Sequence, residues 1–102
     1  MKRQTEKPKN NWALVVWYLI MLPEGFSMKT PVADHFYKFQ SRLGEVEKGR
    51  KDKMKVRRLP MTAKNRHGHT MTFTHYKSLA NVNYLGNLYN KLNSLGVKAL
   101  HK

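Results

Sequence analysis

The sequence predicts a small α+β domain, mainly helical, with a two-stranded hairpin set between its third helix and its last. Two observations carry the elements: helix-length apolar or amphipathic stretches stand at 12–22, 39–46 and 79–95. Between them, "KMKVRRL" and "TMTFTHY" alternate apolar and polar side chains around a tip containing Pro60 and Gly68. A third bounds the architecture: 102 residues with no linker and no repeat give one modest core, over residues 11–102.

Residues 1–10, "MKRQTEKPKN", show no apolar periodicity and are expected to form a mobile basic arm. Asn10 or Asn11 suits the N-cap of the first helix, and "PEG" at 23–25 ends it. Its run "WALVVWYLIML" has eleven apolar residues. That is short of the roughly 20 needed to span a bilayer. A secretory signal would place a small-x-small cleavage site after it, where "PEGF" stands, so a buried core helix is expected.

Phe26–Met28 fits a very short strand. Thr30-Pro31 reads as a helix start, Thr as cap and Pro at the first helical position, with Val32, Ala33 and Phe36 facing the core. A third helix over about 37–48 follows, with Phe39, Leu43 and Val46 at i, i+4, i+7. Gly44 costs about 1 kcal/mol there relative to Ala and marks a position for close backbone approach. In the hairpin, 53–76, Met54 and Val56 share one face against Lys53, Lys55 and Arg57. Met71 and Phe73 oppose Thr70, Thr72 and Thr74, and "PMTAKNRHGH" forms a long tip. A last helix over 78–96 carries Leu79, Val82, Leu85, Leu88, Tyr89, Leu92 and Leu95 at helical spacing, closed by Gly96.

Charge points to the class of partner. The formal net charge is +14, with a pI near 10.3. All six acids precede residue 53, and residues 53–102 hold ten Lys/Arg and no acid. Such a half repels itself unless a polyanion neutralises it, and nucleic acid is the commonest one inside cells. There is no cysteine, which excludes a disulfide framework and fits a reducing compartment.

The order helix, short strand, helix, tight turn, helix, hairpin, helix is that of a winged helix-turn-helix domain. In that arrangement the third helix enters the major groove and the hairpin lies beside it. Tyr37, Lys38, Gln40, Ser41 and Arg42 are then expected to face bases. Lys48, Arg50, Lys55, Arg57, Arg58, Lys64, Asn65 and Arg66, with His67 and His69 at the tip, are expected on phosphates or in the minor groove.

The stretch "FSMKTPVADHFYKFQSRLGEVEKG" also resembles the core of small winged-helix DNA-binding proteins encoded by phages and other mobile elements. In those, a short helix with an internal Ala precedes one carrying Arg, an aliphatic, a spacer, an acid and an aliphatic. Here these are Ala33, then Arg42, Leu43, Gly44, Glu45 and Val46. The resemblance covers residues 12–76. It implies a double-stranded DNA-binding protein, a transcription regulator or an excisionase-like architectural factor, cytoplasmic and nucleoid-associated. It also implies an Arg42 turned inward toward Glu45, one turn on, in competition with the base-reading role.

His67, His69 and His75 invite a metal site. Residues 69 and 75 of one strand stand about 20 Å apart, and no carboxylate or thiol lies near 67 and 69 in sequence, so no metal or other cofactor is expected. "HGH" followed by Tyr76, Tyr84 and Tyr89 resembles the arrangement of nicking enzymes. Those place a hydrophobic residue where Gly68 stands and need a carboxylate that the second half lacks, so no enzyme is expected. Two other partners remain open. RNA suits the basic hairpin with Tyr37, Tyr76 and Tyr84 for stacking, and an acidic protein suits the charge alone. The apolar stripe at 79–95 serves either to complete the core against the first helix or as a homodimer seam.

Overall fold

The computed structural model describes residues 8–101. Helix α1, Asn11–Met21, begins at Asn10, whose side-chain oxygen accepts from the N–H of Trp12 at 2.8 Å and of Ala13 at 3.2 Å. Those are two of the donors that every helix start leaves orphaned. The amide of Asn10 also donates to the Leu92 carbonyl at 2.9 Å. Asn10 is therefore built into the domain. The rest of the expected arm, 1–7, lies outside the described residues.

Strand β1 is only Phe26–Ser27. It is entered through Gly25 at φ +101°, where a Cβ would stand 2.1 Å from the His75 ring. Only glycine lets the chain pass there.

Helix α2, Lys29–Ala33, differs from expectation. Thr30 is not its cap. The helix starts two residues earlier, at Lys29 with Met28 at the cap position, the Ser27 hydroxyl accepting from Lys29 N–H at 3.2 Å, and Pro31 is its third residue. Val32 and Ala33 are exposed, while Pro31 and Phe36 supply the buried side. His35 at φ +64° then turns the chain sharply into α3, Phe39–Glu47.

In α3 the i, i+4, i+7 spacing holds, and Phe39, Leu43 and Val46 are buried. Gly44 faces open space, so the close approach expected there does not occur. Gly49 at φ +77° ends this segment, and a one-turn helix α4, Lys51–Met54, follows. Met54 is thus fully buried at a helix end rather than standing on a strand.

The hairpin is longer, and its tip shorter, than the sequence suggested. Strands β2, Val56–Lys64, and β3, Thr70–Ser78, pair over nine residues, from Val56↔Ser78 to Lys64↔Thr70. "PMTAK" is strand. The sheet order β1-β3-β2 leaves β2 at an edge, where a Pro60 lacking its N–H is tolerated within the ladder. The tip is residues 65–69, with Asn65 oxygen Oδ1 accepting from the N–H of His67 and His69.

Residues 79–81 form a connection, and helix α5, Val82–Leu95, is capped by Asn81, whose side chain accepts from Asn83 N–H at 2.7 Å. Its stripe packs on α1: Leu85, Leu88, Tyr89 and Leu92 are buried, leaving Leu79, Val82 and Leu95 exposed. A 3-10 turn, Gly96–His101, closes the description. No helix among the described residues is long and apolar enough to cross a membrane.

An aromatic cluster joins α1, β1, α3 and β3 within a core that is otherwise mainly aliphatic. Tyr18 sits 5.6, 6.4 and 6.0 Å (ring centroids) from Phe26, Phe36 and Phe39, and Phe39 lies 5.3 Å from Tyr76. The Tyr18 hydroxyl donates to the Asp34 carboxylate, and burial first, then that carboxylate, push the phenol well above its ordinary pKa. Phe39 touches α1, β1 and β3 together. Truncating it, Phe39→Ala, should cost about 3–5 kcal/mol, read as a lowered urea midpoint with little change in slope.

Candidate nucleic-acid interface

Alternation along the hairpin gives it two distinct faces. Arg58↔Tyr76, Pro60↔Thr74, Thr62↔Thr72 and Lys64↔Thr70 share one face, and Arg57↔Lys77, Leu59↔His75, Met61↔Phe73 and Ala63↔Met71 share the other. The first is a ladder of threonine hydroxyls with cations at both ends. Its inner half forms a cleft with α3, walled by Gln40 and Leu43 on the helix and Arg58, Pro60, Thr74 and Tyr76 on the strands. The second face is apolar in the middle, with Leu59, Met61 and Met71 each more than 40% exposed.

Two arginines shape the electrostatics here. Glu47, at the last position of α3, is only 3% exposed. The carbonyl end of a helix disfavours a carboxylate, so Glu47 needs a cation. Arg58 supplies it with both terminal nitrogens, one of them 3.2 Å from Oε2, and this pairing raises the pKa of the guanidinium. The same guanidinium lies 5.9 Å from the Tyr76 ring centroid. Tyr76 in turn accepts from Gln40 Nε2 at 2.8 Å. Arg58, Tyr76 and Gln40 thus lock the hairpin to α3.

Arg42 behaves likewise on the other side of the helix. It donates to Glu45 at 2.8 Å, stacks 5.2 Å from the Trp12 ring, and has its Nε buried. Trp12 Nε1 donates to the same Glu45 oxygen at 2.8 Å. Both acids of α3 are therefore neutralised by arginines, and the outward surplus is positive.

The structure sorts the fifteen residues that the sequence nominated. Tyr37, Lys38 and Ser41 stand exposed at or just before α3, and Lys48 just after it. Lys64, Arg66, His67 and His69 stand exposed at the far end of the hairpin. Gln40, Arg42 and Arg58 are committed to the fold as described. Arg50 is too: it donates to the carbonyls of Val46 at 3.1 Å and Ala99 at 2.8 Å. Asn65 spends its side-chain oxygen on the tip. Arg57 points to the apolar face, away from α3, and Lys55 occupies a left-handed position before the strand, at φ +48°.

One further correction concerns a ring: Tyr76 is 2% exposed, so it offers no stacking surface. His75 is half-buried against Gly25. Thr62, Thr70, Thr72 and Thr74 were not nominated. For Thr70, Thr72 and Thr74 the signal is in "TMTFT", where period-two threonines mark a polar strand face; Thr62 is opposite Thr72 only through the pairing of the strands.

Comparison with family models, with curated proteins and with solved structures returns no match.

The Arg42 guanidinium, then the Trp12 indole, holds the Glu45 carboxyl below its ordinary pKa of 4.5. A depressed folded-state pKa means the unfolded chain takes up the proton first. The contact therefore stabilises fully above pH 4.5 and is lost progressively below it. Glu45→Gln should show a smaller drop in melting temperature than the wild type between neutral pH and about pH 3.

Proposed function

We propose that this chain is a winged helix-turn-helix protein that binds double-stranded DNA, with α3 in the major groove and the threonine face of the hairpin on the adjoining backbone. The observation that carries the reading is the shared cleft. A short helix whose acids are neutralised by arginines lines one wall of this cleft, and the strand face that carries the threonines and Lys64 lines the other at Arg58, Pro60, Thr74 and Tyr76. Hydroxyl and ammonium groups in that array suit phosphate oxygens spaced along a duplex. The helix–strand–helix–helix–hairpin order, with β1 pairing to β3 inside the hairpin's own sheet, supports the same architecture.

Residue roles follow from position. Lys38 and Ser41, with Tyr37 just before the helix, are the side chains free to meet base edges. Lys48, Lys64, Arg66 and the tip histidines supply phosphate contacts, and affinity comes mainly from counterion release. Gln40 and Arg58 in the walls of the cleft, and Arg42 behind it, set the geometry through their bonds to Tyr76, Glu47 and Glu45. A regulator or an architectural factor would use the same surface. The apolar outer face of the hairpin takes no part in this contact.

Fluorescence anisotropy with random-sequence duplex across about 50 to 200 mM salt tests the reading. Binding should weaken steeply with salt. Lys64→Ala and Arg66→Ala should each reduce the logarithmic salt slope by about 1 and weaken all sequences equally. Salt-insensitive or absent duplex binding contradicts the proposal and directs the basic surface to an acidic protein.

A further inference from the structure

A second cleft lies between the α3–α4 connection and α5, and it shares no lining residue with the first. It encloses about 330 Å³. That is within the usual range for small-ligand sites. Its walls combine three chemistries. Lys53 on α4 and Lys91 on α5 line it and are exposed, and Arg50 lines it with its guanidinium fixed by the Val46 and Ala99 carbonyls. Tyr84 presents a half-buried ring, and Asn87 an exposed amide one turn further along α5. Leu88 closes the apolar side.

Positions 84, 87, 88 and 91 fall on one helical face, so α5 offers ring, amide and ammonium in a line. Among the described residues no carboxylate lines this cleft, and Asp52 belongs to the adjoining depression with Lys51.

We infer that this second cleft binds a nucleotide of single-stranded nucleic acid, independently of the duplex surface. The base stacks on Tyr84, Asn87 meets its hydrogen-bonding edge, and Lys53 and Lys91 take the flanking phosphates. A paired base within a duplex is stacked on its neighbours and does not reach a ring set in a cleft, whereas an unpaired base does. A lone anion would satisfy the lysines but leave Tyr84 and Asn87 without use. Because the two clefts have separate walls, one molecule can hold a duplex and an unpaired strand at once. Neither DNA nor RNA is preferred by these groups, since none is placed to select the sugar.

The test uses the full chain with oligonucleotides of about 12 residues, oligo-dT and oligo-U, each also carrying a photoreactive 5-iodouracil. Irradiation should attach the base to the peptide containing Tyr84. The double variant Lys53→Ala/Lys91→Ala should lose about tenfold or more in single-strand affinity while duplex affinity changes by less than about threefold. Lys64→Ala/Arg66→Ala should do the reverse. Tyr84→Ala should lose single-strand binding and Tyr84→Phe retain it, with both keeping the wild-type duplex affinity, which separates lost stacking from lost folding.

Binding of either oligonucleotide with that pattern supports the site, and the tighter one names the sugar. Binding of neither overturns it, as do adducts on Tyr37 or the hairpin, or parallel losses of both ligands in each double variant. Failure of duplex binding with an intact Tyr84 adduct would sink the duplex reading alone.

Discussion

The geometry of the proposed surface depends on one ion pair, Glu47 with Arg58. Glu47 is buried at the carbonyl end of α3, where its charge is stable only with a cation beside it. Arg58 comes from the third residue of β2, so satisfying the acid fixes where the hairpin leaves the core. Tyr76 then stacks beneath the guanidinium and takes a hydrogen bond from Gln40, which sets the rotation of the strands about that pivot. Beyond Pro60 the hairpin has few neighbours, so the placement of its tip follows from this inner junction. Only the acid is buried, since the Arg58 side chain stays 43% exposed, and the pair is better understood as fixing an orientation than as a source of stability.

The same economy explains which cations are left for a ligand. Twenty Lys/Arg give the chain its charge, but the arginines near α3 are largely spent inside. Arg42 fastens α3 to α1, Arg58 fastens it to the hairpin, and Arg50 fastens its end to the C-terminal turn. Planar, multidentate guanidinium groups suit such multi-acceptor junctions, while the outward-facing cations are mostly lysines. A surface of that kind favours adaptable phosphate contact over rigid base reading.

Much of the fold was legible because the strongest periodicities coincide with burial. Phe39, Leu43 and Val46 mark the inner side of α3, and Leu85, Leu88 and Leu92 mark that of α5. What was not legible depended on long-range context. Pro60 looked like a tip residue because a proline breaks a central strand, and only the edge position of β2 shows why it is tolerated. Thr30-Pro31 has the composition of a helix start, yet the helix begins at Lys29 with Met28 at the cap position, directly after the two residues of β1. The separation of structural from surface arginines was hidden as well. Sequence places Arg42 three residues from Glu45, but nothing local reveals that Glu47 is buried and waiting for Arg58. The inward Arg42 was foreshadowed by the resemblance to small winged-helix proteins, whereas the roles of Arg50 and Arg58 needed the fold.

The central claim is that α3 and the threonine face of the hairpin form one duplex-binding surface. Titrating isotopically labelled protein with a short DNA duplex and following backbone amide shifts tests it most directly. The account predicts shifts concentrated at Lys38, Ser41, Lys48, Lys64, Thr70 and Thr72, with Leu59, Met61 and the buried stripe of α5 little affected. Shifts centred on the apolar hairpin face, or none at all in low salt, would contradict it.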